Sequence, residues 1–304
     1  MIALSKIRDL DVFSGAGTER TYLSAASALV RAGSFLYVVA DDELHLGVFR
    51  ATDNSPGQLI RLFDGELPAA ALERKKLKPD LEALLKLPAG ESFPNGAILA
   101  LGSGSRRNRR RGALLRLDAQ GVVQGLPDPV DLSPILMPLE GALQALNIEG
   151  AVVVGDEVRL FQRGNRRHRE NAIIRFPLSS FLGALTAEPA STLDALAIDM
   201  IDLGEIDGIP LCFTDAAALP NGDMVFTAIA EDTGDAYNDG PCAASAIGLL
   251  DSDGLLRRLT RLEAPFKIEG VDARADGDVI RLLLVTDADD PAIPAALFSA
   301  TMES

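Results

Sequence analysis

Leu146 to Gly164 reads LNIEGAVVVGDEVRLFQRG. Glu149 opens a short apolar run, Gly155 and Asp156 turn the chain, and Val158 to Gln162 forms a second run that ends in a charged loop. Two such runs around a Gly-Asp pair are the sequence form of a β-hairpin, since glycine supplies the positive φ that tight hairpin turns need. The layout recurs. Ser27 to Asp41 (SALVRAGSFLYVVAD) lies on Glu149 to Arg163 without a gap, bringing Gly33 onto Gly155 and Tyr37 onto Arg159. Further copies open at Glu82, Asp215 and Glu269, each with a Gly, Asn-Gly or Asp-Gly turn between its strands. The openings are spaced by 55, 67, 66 and 54 residues. That is somewhat longer than the roughly 40 to 50 residues of one propeller blade, a difference that loops account for.

A third strand follows each pair, at Leu44–Arg50, Gly112–Leu117, Asn171–Phe176, Ala246–Leu250 and Ala295–Ala300. Fourth strands are expected at Gln58–Phe63, near Val130–Ile135, at Ile198–Leu203 and at Leu255–Leu262. The turns LDAQG (Leu117–Gly121) and LDSDG (Leu250–Gly254) join third strands to fourth. The fifth copy runs out of chain, and ALSKIRDLDVF near the N-terminus can supply its missing strand, which removes the open edge of a ring. The pattern predicts an all-β, five-bladed β-propeller of four-stranded blades spanning residues 1–304 as a single domain, with a six-bladed ring as the alternative. Pro68–Lys78, Leu139–Leu146 and Ser179–Leu185 are expected as short helical connections, and no Pro, Gly or Ser-rich linker divides the copies.

Composition narrows the partners. The net charge of -15 argues against non-specific binding to nucleic acid or anionic membranes, which positive surface drives. No segment approaches the ~20 apolar residues of a membrane span and the N-terminus has no leader pattern, so a cytoplasmic, soluble protein is expected. Cys212 and Cys242 are too few for a disulfide framework, which fits a reducing compartment. A monomer is the expected state.

The innermost strand of each blade lines a propeller's channel, so Ser27, Glu82, Glu149, Asp215 and Glu269 are expected to form a ring. Four carboxylates on one axis repel unless protonated or neutralised by a cation. Oxygen donors in that number suit Ca²⁺ better than softer metals. The alternative is that these acids bond backbone amides of neighbouring blades or pair with Lys78 and Lys267 around a water-filled channel. The acid-lined channel and five-blade count resemble the calcium-activated nucleotidases (apyrases). That resemblance implies calcium held on the axis by one Ser, Glu or similar residue per blade, a pattern that Ser27, Glu82, Glu149 and Glu269 fit and from which Asp215 departs where a hydroxyl is usual. KPDLEAL, LNIEGAVV, RGN, LCFTDAAALP, AEDT and LLLVTDADDP further resemble an uncharacterised family of bacterial propeller proteins over nearly the full chain, which implies the fold and no activity.

Loops after the second strands are expected to gather at one mouth. Three short segments, Arg74–Lys78, Arg106–Arg111 and Arg163–Arg169, hold 13 of the 29 Lys and Arg residues. Such a concentration suggests an anion site, with Lys78, Arg106, Arg163 and Lys267 as its donors. Copies four, five and one carry the opposite sign in Glu231, Asp232 and Asp235, in Asp287, Asp289 and Asp290, and in Asp41, Asp42 and Glu43. Asp and Arg are alternatively expected to pair across the mouth. Familiar signatures fail: His45 and His168 form neither a GxSxG triad nor HExxH, GSGS lacks the GK[ST] of a phosphate loop, and Asp251–Gly254 is a turn rather than a calcium hand. A sugar-cleaving site using Glu82 with Glu269 lacks aromatic partners, as the chain has no Trp. Two function classes follow. One is a Ca²⁺-dependent hydrolase of a phosphorylated or otherwise anionic small molecule, with Asp41, Glu231 or Asp287 as base. The other is a non-enzymatic propeller that binds a ligand or protein through its charged face, with a structural axial ion.

Overall fold

The computed structural model describes residues 1–13, 21–186, 191–234 and 240–304. Strand β1 (Ser5–Asp9) is followed by a first blade of β2 (Ala26–Ala32), β3 (Phe35–Ala40), β4 (His45–Arg50) and β5 (Gln58–Arg61). Helix α1 (Ala71–Leu77) leads to the second blade, β6 (Leu81–Leu87), β7 (Ala97–Gly102), β8 (Arg111–Leu117) and β9 (Val123–Asp131). Helix α2 (Ser133–Leu136) and a 3-10 turn at Met137–Gly141 precede the third, β10 (Ile148–Val154), β11 (Glu157–Gln162), β12 (Asn171–Pro177) and, after helix α3 (Leu178–Thr186), β13 (Ala197–Ile201). The fourth blade holds β14 (Glu205–Ile206), β15 (Ile209–Ala218), β16 (Met224–Glu231), β17 (Cys242–Leu250) and β18 (Leu256–Arg261). The fifth holds β19 (Ile268–Asp276), β20 (Val279–Thr286) and β21 (Ala296–Glu303), with β1 antiparallel to β21 as its outer strand.

The fold is therefore a five-bladed β-propeller closed by opposite ends of the chain. Innermost strands β2, β6, β10, β15 and β19 touch in turn round the axis. Five apolar clusters fill the five blade interfaces, for example Ala83 to Leu101 of blade two against Ile148 to Leu160 of blade three. Each sheet buries both faces against its neighbours, which is why its strands read as near-continuous apolar runs. Two expectations shift. The fourth strand of blade two is Val123–Asp131, and Val130–Ile135 runs instead into α2, because Pro134 at the start of a helix forgoes only a donor that has no partner there. The helix expected over Leu139–Leu146 is only the 3-10 turn. Blade four gains the two-residue β14.

One irregularity repeats in every blade and places the site. The innermost strand bulges between Ala26 and Ala28, Leu81 and Ala83, Ile148 and Gly150, Phe213 and Asp215, and Ile268 and Gly270. The extra residue of such a bulge leaves the ladder and is re-aimed. Those residues are Ser27, Glu82, Glu149, Thr214 and Glu269. Beyond the bulges of blades three and five the backbone of a neighbouring blade comes close. A Cβ on Gly150 would stand 2.9 Å from the Ala216 nitrogen, and one on Gly270 3.0 Å from Ala28. Ala28, Ala83, Gly150 and Gly270 make four of the five positions after the bulges small.

Candidate functional site

The bulge register corrects one member of the expected ring: blade four contributes Thr214 at that level, and Asp215 is the residue after it. Thr214 is buried, and its hydroxyl donates to the Ile268 carbonyl at 2.8 Å and lies 2.9 Å from the Thr227 hydroxyl. Asp215 accepts the Ala216 and Val271 amides, each at 2.8 Å, which ties blade four to blade five. Burial first, against those amide bonds, holds its carboxyl well above the usual range. Neither residue lines the axial cavity. Asp215 is a backbone clamp between blades, as one alternative reading of the ring anticipated.

Ser27, Glu82, Glu149 and Glu269 do line a common cavity of about 250 Å³ at one mouth of the channel. The ends of the second strands and the loops that follow them supply much of the remaining wall, with Asp41, Arg109, Arg163, Glu231 and Asp287 in it. Asp235 lies outside the described residues. Ten acids and six bases line the cavity. Carboxylates and basic side chains therefore share one wall, the acids in excess.

Those bases hold carboxylates. Arg163 donates to Glu149 at 3.2 Å, contacts Glu231 and lies 3.9 Å from Glu269. Lys267 sits 3.4 Å from Glu231, 3.5 Å from Glu269 and 2.6 Å from Asp289. Lys78 contacts Asp41 and lies 3.0 Å from Asp80. Of the arginines at 106–111, Arg109 turns inward, donating to Asp80 at 2.6 Å. Arg106 is exposed and outside the cavity lining, Arg110 pairs with Glu140, and Arg111 lies over the Phe63 ring. Arg74 on α1 reaches Glu43 at 3.0 Å and Arg166 pairs with Asp232. The half-basic, half-acidic face thus resolves into pairs across the mouth.

Three acids stand together. Ligand atoms of Asp41, Asp80 and Glu82 lie within 4.8 Å of one another. Asp80 is wedged by Ser103 Oγ at 2.6 Å, by Arg109 and by Lys78, and its φ of +57° is rare for a side-chain-bearing residue. Asp289, also in the lining, has φ of +54°. Strained backbone of this kind clusters at functional sites. Glu82 receives no hydrogen bond or ion pair from any described residue. Burial first, then the charges of Glu149 and Asp80 against that of Lys78, hold its carboxyl well above the usual range. Burial likewise raises Glu149 and Glu269, opposed by Arg163 and Lys267. Asp287 is pushed up to about 6 by burial, against the charge of Lys267. Although burial disfavours their charged forms, Arg163 and Lys267 are held well above their ordinary values by the surrounding carboxylates.

Sequence reasoning missed Asp80 and Thr214. Asp80 precedes its strand and belongs to no periodic pattern. Thr214 was readable: apolar, site residue, small residue runs Ile148-Glu149-Gly150, Ile268-Glu269-Gly270 and Leu81-Glu82-Ala83, and Phe213-Thr214-Asp215 keeps the apolar step before the site residue.

Five sheets, four of them four-stranded and the fourth blade five-stranded, around a charged axial cavity define the class, a β-propeller with its candidate site on the axis. The chain belongs to the family of unknown function DUF6929, whose model matches residues 22–302. No curated protein matches the sequence. The structure is similar to the catalytic domain of a Coprinopsis cinerea GH62 alpha-L-arabinofuranosidase, with 10% identity, 99% of this chain and 96% of that one covered, and a TM-score of 0.51. It is similar also to a putative glycoside hydrolase from Bacteroides ovatus, at 15% identity, 98% and 92% coverage and a TM-score of 0.45. A gluconolactonase from Xanthomonas campestris aligns at 12% identity over 99% and 97% of the chains, with a TM-score of 0.36. At these identities the likeness is one of fold. Among the described residues no helix is long and apolar enough to cross a membrane.

Proposed function

We propose that the axial cavity binds a divalent cation and, with it, hydrolyses an anionic small molecule. The observation that carries this reading is the convergence of Asp41, Asp80 and Glu82, with Glu82 lacking any described donor, in a lining of ten acids and six bases. Hard oxygen donors of this kind suit Ca²⁺, with Mg²⁺ second. A cation there would supply a Lewis acid beside the reacting group and offset the repulsion among the carboxylates. Asp287 is the best placed of the three base candidates, since a carboxyl raised to about 6 exchanges a proton near neutral pH. Glu231 lies between Arg163 and Lys267, and Asp41 against Lys78, so both serve as counter-charges.

A second reading has its own support. Lys78, Arg163 and Lys267 already hold carboxylates, which suits a non-catalytic propeller with a structural ion and a ligand or protein partner at its charged mouth. One experiment separates the two. The full chain is titrated calorimetrically with Ca²⁺ and Mg²⁺, and a panel of phosphoesters and lactones is assayed with and without each ion. Binding together with ion-dependent turnover is expected. Binding without turnover favours the structural ion, and no heat from either ion would sink both readings.

A further inference from the structure

We propose that the opposite mouth of the channel is a second site, which takes a small organic oxyanion and is independent of the axial cation. Two residues past each bulge, Leu29, Leu84, Ala151, Ala216 and Val271 form a buried apolar layer. On its far side lies another cavity, of about 270 Å³, lined by the innermost strands of all five blades and sharing no lining residue with the acidic one. Its charged residues are Arg31, Lys86, Arg274 and Asp272. Three cations to one acid is an unusual excess in a chain of net charge -15.

The contacts within this mouth leave cationic donors over. Asp272 accepts the Arg31 amide at 3.2 Å and stands 3.7 Å from Arg274 Nε, a wide pair. Lys86 Nζ donates to the Arg31 carbonyl at 3.1 Å, and Arg31 Nε to the Gly33 carbonyl at 3.3 Å. The Nη groups of Arg31 and Arg274 meet no acceptor among the described residues. Burial, and then the neighbouring charge of Arg274, lower the Arg31 guanidinium from its ordinary value, so the two cations crowd each other. An arriving oxyanion relieves that repulsion, and guanidinium forks offer it paired N–H donors. The apolar layer behind them accepts a short aliphatic or aromatic body. The shared chemistry is a phosphate monoester or a carboxylate on such a body.

Calorimetric titration of the full chain with phenyl phosphate, benzoate and benzyl alcohol tests this. The two oxyanions are expected to bind, and the stronger names the head group; the neutral alcohol is expected to give no heat. Arg274→Gln, on an exposed side chain, and Arg31→Met are each expected to weaken binding about tenfold. Arg258→Gln, elsewhere on the surface, is expected to leave it unchanged. Arg274→Gln decides the matter if Arg31→Met fails to fold. Absence of oxyanion binding, equal binding of benzyl alcohol, or binding unmoved by Arg274→Gln would overturn the site. Calcium titration plays no part in these outcomes, so the axial reading stands or falls separately.

Discussion

A buried carboxylate among other carboxylates and without a donor of its own keeps its proton to higher pH, and Glu82 is in that position, by burial first and then by the charges of Glu149 and Asp80. Glu82→Gln removes the charge that a cation would neutralise. We expect the variant without added metal to be more stable at pH 8 by on the order of 1 kcal/mol and to lose any Ca²⁺-induced rise in melting temperature. An undiminished Ca²⁺ shift in that variant would remove Glu82 from the ion's ligands. Asp287 gives a pH signature. Its folded value of about 6 lies above its ordinary 3.8, so over that window the unfolded chain ionises first and stability falls as pH rises. Asp287→Asn should flatten that part of the profile, a difference on the order of 3 kcal/mol by pH 7. Urea midpoints from pH 4 to 7 measure it, and parallel profiles for the two proteins would count against a raised Asp287.

At the scale of the element, the hairpins between first and second strands make equal demands on backbone and unequal demands on space. Gly33 and Gly155 have φ of +56° and +60°, so alanine is strained at either. A Cβ at Gly33 would also stand 2.1 Å from the Gln120 carbonyl oxygen of the neighbouring blade, whereas at Gly155 it meets nothing within 4 Å. Gly155→Ala is expected to destabilise by about 1 kcal/mol and Gly33→Ala by about 3 kcal/mol, since the second adds a clash between blades. Equal denaturant midpoints for the two would show that the blades separate at that point without loss. The same hairpins show what was legible in the sequence. Gly33 and Gly155 aligned the copies because a turn requires a residue type, and short apolar runs marked the strands on either side. Asp80 left no such mark, as its place depends on Ser103 and Arg109, which come from another loop. The basic loops were legible only in part for a related reason: composition gives the sign of a segment, but not the carboxylate that each arginine will meet across the mouth.

For the whole molecule the question is whether five similar units behave as one. Each blade meets two neighbours through an apolar interface, and the ring has a single closure where β1 joins β21. Arg8 extends that closure from the fifth blade to the first. Its guanidinium donates to the carbonyls of Asp53 at 3.1 Å, Ser55 at 3.0 Å and Arg50 at 3.2 Å, and it lies over the Phe49 ring. Arg8→Met keeps an apolar stem but leaves those carbonyls without their donor. The expected loss is about 2 to 3 kcal/mol, whereas Arg258→Met, at an exposed pair with Glu303, should change stability by less than about 0.5 kcal/mol. Because opening the ring uncovers apolar faces on both sides of the break, unfolding of the Arg8 variant should remain a single calorimetric transition at lower temperature. A separate early transition in that variant, with the remainder melting where the parent does, would show that the terminal blades come apart alone and that the closure adds little to the other interfaces.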